Sequence, residues 1–267
     1  MKHEKIKEII KDKLGNITDL SGQIGVDFDK DIIHDFRLHT KTLRSFLRLL
    51  RFHTKRTELK MSRRFKRLYH ISGAIRDTQI ELEKVADSKV ILSEYINKLQ
   101  HILSTQKKEW RKHYDKHIFK KLESKLVNVK YETLHPLILE NFFTGKFAIA
   151  DKISSTKSPT DEQIHQIRKE VKDILYLSGI AEKKWKGAKK QLKVLPVKEL
   201  KQIADIVGSY NDKRILMGHL SSFSSPGMDI KEINFIKKIT SKEKAKLEKE
   251  KKSIIVLVKE LIAAMKK

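Results

Sequence analysis

The segment HDFRLHTKTLRSFLRLLR carries a histidine or a permanently basic side chain at His34, Arg37, Lys41, Arg44, Arg48 and Arg51. At roughly 100° per residue these positions, with Lys55, fall in a helical sector about 100° wide that no Asp or Glu enters. Like charges one turn apart cost about 0.2–0.5 kcal/mol per pair, so the stripe calls for a compensating reason. One cation per turn recurs about every 5 Å, a spacing that a flexible chain of phosphates can follow. Arginine offers phosphate a bidentate, permanently charged fork, and lysine offers a mobile point charge. Phe36, Leu43, Leu47 and Leu50 form the adjoining apolar sector. The basic edge therefore borders the core, where it is expected to line a groove between helices.

Two further segments repeat the arrangement. Lys60, Arg63, Arg64 and Arg67 share one side of the next predicted helix, with Met61, Phe65 and Leu68 on another. Later, His165, Arg168, Lys169 and Lys172 cluster beside the apolar Ile164, Ile167, Val171 and Leu175, and Tyr176 continues the basic side. Protonation of His34 and His165 would add charge to two of the stripes, so anion binding is expected to tighten as pH falls through the histidine range.

The whole chain points the same way. Its 267 residues hold 59 Lys and Arg against 34 Asp and Glu, a formal charge of +25. That surplus favours a phosphate polymer, a nucleic acid or an acidic surface as partner. Hydrophobic residues make up 39% and recur with helical period, which argues against disorder. With no Cys, disulfides and thiolate metal sites are excluded. The N-terminus, MKHEKIKEIIKDKL, lacks the apolar core of a signal peptide. The longest apolar stretch, Ile254–Met265, is interrupted by Lys259 and Glu260 and is too short to span a bilayer. A cytoplasmic protein with no membrane span is expected.

Spacings of three and four, with few Pro and Gly, predict an all-α chain. Helices are expected over roughly 2–14, 30–55, 58–72, 76–86, 89–128, 132–142, 161–178, 181–195, 197–207, 211–221 and 229–265. Two of them match in sequence: IHDFRLHTKTLR (33–44) and IHQIRKEVKDIL (164–175) share I-H-x-x-R-x-x-x-K. A second pair follows in the same order, LYHISGAIRDTQI and LKQIADIVGSYNDKRI, with Gly-x-x-[Arg/Asn]-Asp at Gly73–Asp77 and Gly208–Asp212. Asp29 and Thr160 stand as equivalent N-caps, and Thr160 with Gln163 has capping-box spacing. The pattern implies an internal duplication. The expected architecture is two pseudo-two-fold-related helical bundles in a single domain over 1–267, with halves of approximately 1–150 and 151–267. A basic groove or pore would run between or along them. Asp77 and Asp212, each after a glycine break, are read as structural support that caps the next helix or holds a stripe arginine.

On these two elements, each present twice, the chain resembles the CHAD family, the conserved-histidine α-helical domain. The resemblance covers nearly the whole chain. It implies two helical bundles facing a basic central groove or pore, and binding of inorganic polyphosphate. It carries His34, Arg37, Lys41 and Arg44 onto the first element, and His165, Arg168 and Lys172 onto the second. Leu175 stands where the first copy has Arg44, so the second copy is less complete. Association with cytoplasmic polyphosphate deposits follows as an expectation.

Other signals are weaker. His113 and His117 have the spacing of a two-histidine metal site but sit among Lys112 and Lys116 and read as a solvated face. ELEK at Glu81–Lys84 is a poor match to the E-x-E-x-K of the CYTH triphosphatases that can accompany CHAD domains. No nucleotide-binding glycine loop, nucleophile motif or carboxylate cluster is found. No enzymatic activity, cofactor or metal is therefore expected. The alternative is an RNA- or DNA-binding protein using nonspecific phosphate contacts. The stripes lack the interleaved aromatics and the Asn and Gln that base recognition would use. The apolar end of the C-terminal helix is expected to close a bundle, with an oligomer contact as the alternative.

Overall fold

The computed structural model describes residues 1–86, 92–224 and 227–265. Among the described residues the chain is α-helical with no strand. The helices are α1 (His3–Asp27), α2 (Lys30–Thr54), α3 (Arg63–Ala86), α4 (Ser93–His113), α5 (His117–Val127), α6 (Pro136–Ser154), α7 (Asp161–Lys184), α8 (Lys189–Lys193), α9 (Val197–Ser222) and α10 (Ile230–Met265). A single 3₁₀ turn, Lys186–Ala188, precedes α8. None of these helices is long and apolar enough to cross a membrane. The chain forms two compact units, Met1–Ile138 with Lys183–Gly187, and Leu139–Glu182 with Ala188–Lys267. The change from one unit to the other at Ile138/Leu139 falls in the first turn of α6, which runs on to Ser154.

In the first unit α1 runs well beyond Leu14. Its buried stripe of Ile6, Ile10 and Leu14 continues through Ile17, Ser21 and Ile24, so the apolar seam overrides Gly15. α2 begins where Asp29 accepts hydrogen bonds from the amides of Asp31 and Ile32 at 2.8 and 2.9 Å. α3 starts at Arg63, later than the expected 58, because the Ser62 hydroxyl accepts from the Phe65 amide at 3.2 Å. Lys60 is consequently an exposed loop residue and does not join a helical stripe. The expected helix over 89–128 is two helices, and residues 89–91 of that range lie outside the described ones. Asp115 divides it: its carboxylate accepts from the His117 amide at 2.8 Å and restarts the chain as α5.

Aromatic rings hold this unit together. Phe36 of α2 meets the edge of Trp110 of α4 at 5.7 Å, and Phe65 of α3 meets Phe119 of α5 edge-on at 5.6 Å. Such pairs add about 0.5–1.5 kcal/mol each beyond their buried area. They fix the rotation of α2 and α3, and hence which cations those helices leave outside the core.

α6, which belongs to the second unit from Leu139 onward, opens on Pro136, whose missing amide hydrogen is no loss at the first helical position. α7 has the expected capping box. The Thr160 amide donates to Gln163 Oε1 at 2.7 Å and the Gln163 amide donates to Thr160 Oγ1 at 3.3 Å. α10 packs along α9 and buries Ile254, Val258, Leu261 and Ile262, as expected of a helix that closes a bundle. The first residue of α7, Asp161, ties it to both. Its carboxylate accepts from the Tyr210 hydroxyl of α9 at 2.7 Å and from Lys251 of α10 at 3.1 Å.

Burial by itself would raise the Asp161 pKa, but the hydrogen bonds from Tyr210 and Lys251 and the nearby Lys251 and Arg214 charges hold it below the usual aspartate value. A folded-state pKa below the unfolded one contributes stability that is present above the unfolded value and lost as pH falls through the folded one. In thermal unfolding, Asp161→Asn is therefore expected to melt below wild type at pH 7, with the gap closing as pH is lowered towards 3. A gap that stays constant would show that the carboxylate charge contributes nothing.

Candidate anion-binding site

The basic edge of α2 lies where the sequence puts it, against the core. Arg37, Lys41, Arg44, Arg48 and Arg51 are all half-buried, and His34, one turn from the cap, is exposed. Long basic side chains rest their stems on apolar surface while the charged heads reach water.

Two of the guanidinium groups converge on one ring. Arg37 lies over Tyr69 of α3 at 4.7 Å from the ring centre, and Arg44 lies over the same ring at 5.2 Å. Arg37 is fixed further by a 2.9 Å hydrogen bond from Nη1 to the carbonyl oxygen of Tyr69. Its fork rests on the bare backbone of Gly73: a Cβ there would lie 2.3 Å from Arg37 Nη1. Arg37 and Arg44 form no ion pair with any carboxylate among the described residues, so their charge is available to a ligand. Tyr69, 8% exposed, is the residue the sequence reading misses. Its position four residues before Gly73, on the same helix face, is the signal that could have found it.

The second unit repeats the seat with weaker furniture. Arg168 of α7 lies on Gly208 of α9, where an added Cβ would stand 3.1 Å from Nη2 and 3.2 Å from Nε. Arg168 Nε is buried with no hydrogen-bond partner in the protein. The counterpart of Tyr69 is Ala204, and that of Arg44 is Leu175. Asp205, three residues before Gly208 as His70 is before Gly73, pairs with Lys172 at 3.5 Å. Burial is the main cause that lowers the Lys172 pKa, with Asp205 opposing it and Arg168 adding to it. Lys169 is exposed and His165 is half-buried.

Gly73 and Gly208 do not break their helices. α3 and α9 each run through as one, because the glycine gives up its side-chain space to an arginine from the neighbouring helix. Asp77 and Asp212 therefore lie inside helices, exposed, and neither caps one. Around α3, Arg63 and Arg67 sit roughly 120° on average from Tyr69 and Gly73, on the face turned to α4. The structure thus brings Arg37 and Arg44 together and sets Arg63 and Arg67 on another surface, with Arg64 exposed beside them. His113, half of the spaced histidine pair, lies 3.1 Å from Glu109.

A family model described as the CHAD domain matches residues 14–221. The fold is similar to the crystal structure of the CHAD domain from the plant Ricinus communis, with a TM-score of 0.65 and 13% identity over 99% of this chain and 91% of that one. No curated protein matches the chain.

Proposed function

The chain belongs to the CHAD family, and from that membership we propose that it binds inorganic polyphosphate without turning it over, chiefly through the α2 edge. The observation that carries this is the double seat on Tyr69. Two guanidinium forks are held in place before any ligand arrives, so little of their rotamer freedom remains to be lost on binding. A chain of phosphates running along α2 would meet Arg37, Lys41, Arg44 and Arg48 on successive turns. The arginine-on-glycine seats at Gly73 and Gly208 support an internal duplication whose copies have diverged. The second offers fewer cations and one competing carboxylate, so it takes the smaller share of the anion. Such a protein would be recruited to polyphosphate deposits in the cytoplasm.

Binding to long-chain polyphosphate, single-stranded RNA and duplex DNA, matched in charge at near-physiological salt, tests the reading. Polyphosphate is expected to bind tightest, and phosphate release with and without Mg²⁺ is expected to be nil. Equal affinity for all three would reduce the function to nonspecific polyanion binding. A sharper probe is Gly73→Ala. The methyl group must push the end of Arg37 off its seat, which is cheap for folding because alanine is the better helix former by about 1 kcal/mol. The variant is expected to melt near wild type and to bind polyphosphate about tenfold more weakly, the size of one charge-assisted contact. Gly208→Ala, where Arg168 need give only tenths of an ångström, is expected to stay within about twofold. Equal losses from the two would remove the seat from the mechanism.

A further inference from the structure

The face of α3 turned away from Tyr69 forms, with α4, an open groove of about 530 Å³. That lies within the roughly 300–1,000 Å³ that suits a compact organic ligand. Its lining is sorted by chemistry. Arg63, Lys66 and Arg67 supply cations, and none of them forms an ion pair among the described residues. The lining also holds one carboxylate, Glu109, which lies 3.1 Å from His113 Nε2. Ile71 and Ala74, both half-buried, form an apolar floor that an inorganic phosphate chain has no use for. Between floor and rim, His70 offers a ring and Arg67 a guanidinium plane on which a flat group can stack.

Gln106 gives an independent sign of a ligand. It lines the groove from α4, and its Oε1 is buried without a hydrogen-bond partner in the protein. A buried amide oxygen left unsatisfied costs free energy that a donor on a bound molecule would recover. The occupant that matches all three features has anionic phosphate at one end and a flat, partly apolar body bearing N–H groups at the other.

We propose that the α3–α4 groove is a second binding site, separate from the α2 edge, for a nucleoside 5′-phosphate. The phosphates meet Arg63, Lys66 and Arg67, the base lies over Ile71 and Ala74, and its amino group donates to Gln106. Nothing in this assignment depends on polyphosphate binding at α2, because the two sites use different faces of α3.

Calorimetric titration of the full chain with ATP and with inorganic tripolyphosphate separates a nucleotide site from simple charge attraction. ATP is expected to bind about tenfold more tightly, the contribution of a ring covered on one face. Ala74→Phe fills the floor and is expected to bring ATP down to the tripolyphosphate level while long-chain polyphosphate affinity stays within about twofold. Gln106→Leu, which keeps the size but removes the acceptor, is expected to weaken ATP several-fold and serves if Ala74→Phe does not fold. ATP no tighter than tripolyphosphate, or ATP binding indifferent to both substitutions, overturns the site. Arg44→Glu reports on the α2 reading separately: it should weaken polyphosphate and leave ATP unchanged, and a matching loss of ATP would merge the two sites and overturn the proposal.

Discussion

Reversing Lys41, Arg44 and Arg48 to Glu together is expected to lower affinity for long-chain polyphosphate about a thousandfold or more. Each charge-assisted contact to phosphate is worth about 1.5–3 kcal/mol, and about 1.4 kcal/mol is a factor of ten. Three lost contacts reach that size before the repulsion of three new carboxylates is counted. Salt dependence should flatten in parallel, since fewer counterions are released on binding. Arg37 is left in place deliberately. Its fork lies on Gly73 and donates to the Tyr69 carbonyl, so a glutamate there would face a backbone acceptor and confound folding with binding. The comparison is Lys169→Glu with Lys172→Glu in the second unit, where Asp205 already offsets Lys172 at 3.5 Å. That pair is expected to cost about tenfold, and circular dichroism should show both variants fully helical. Comparable losses from the two halves would sink the uneven division, and a loss below tenfold from the first would remove α2 as the principal surface.

What could be read in the sequence was whatever a single helix records. The α2 cations repeat with the helical period beside a stripe of the same period, so both the stripe and its place at the edge of the core are legible. The caps at Asp29 and Thr160 are equally local, since their acceptors and donors lie within three residues. Misreadings arise where a neighbouring helix decides. Gly73 and Gly208 look like breaks because helix propensity cannot register that an arginine from elsewhere occupies the vacant Cβ position. The capping role of Asp77 and Asp212 fails with them, because a cap needs a helix end. The split between α4 and α5 hides under an unbroken apolar period, and one side-chain-to-backbone turn at Asp115 overrides it. Tyr69 is missed for the same reason: it is buried, and its outer face seats two arginines from a neighbouring helix.

Lys146→Met is expected to cost about 3–5 kcal/mol of stability, the usual penalty for removing one partner of a buried ionic cluster. Lys146 of α6 reaches Glu170 Oε2 at 2.6 Å and Asp173 Oδ2 at 2.9 Å on α7. The carboxylate side chains are only 4% exposed, and the lysine is 15% exposed. Gln166 donates to the other oxygen of Glu170, and the Lys146 ammonium lies 4.9 Å from the Phe142 ring centre. On net charge alone, a protein at +25 should gain from losing a lysine. The local effect wins, because surface charges beyond about 8–10 Å are screened by salt while two buried carboxylates without a cation are not. Methionine keeps the volume and the contact with Phe142, so the loss measures charge and not packing. Adding Glu170→Gln to Lys146→Met should recover much of the loss, and the double-mutant cycle then gives the coupling directly. Lys213, paired with Glu250 at 2.5 Å on a surface where the side chains are 41% and 32% exposed, is the control: its replacement by Met should cost under about 1 kcal/mol. The two acids sit roughly 150° on average around α7 from Arg168 and Lys172. The helix thus anchors one charge on its buried side and offers the opposite charge on the other, and a loss below 1 kcal/mol in Lys146→Met would deny that anchor.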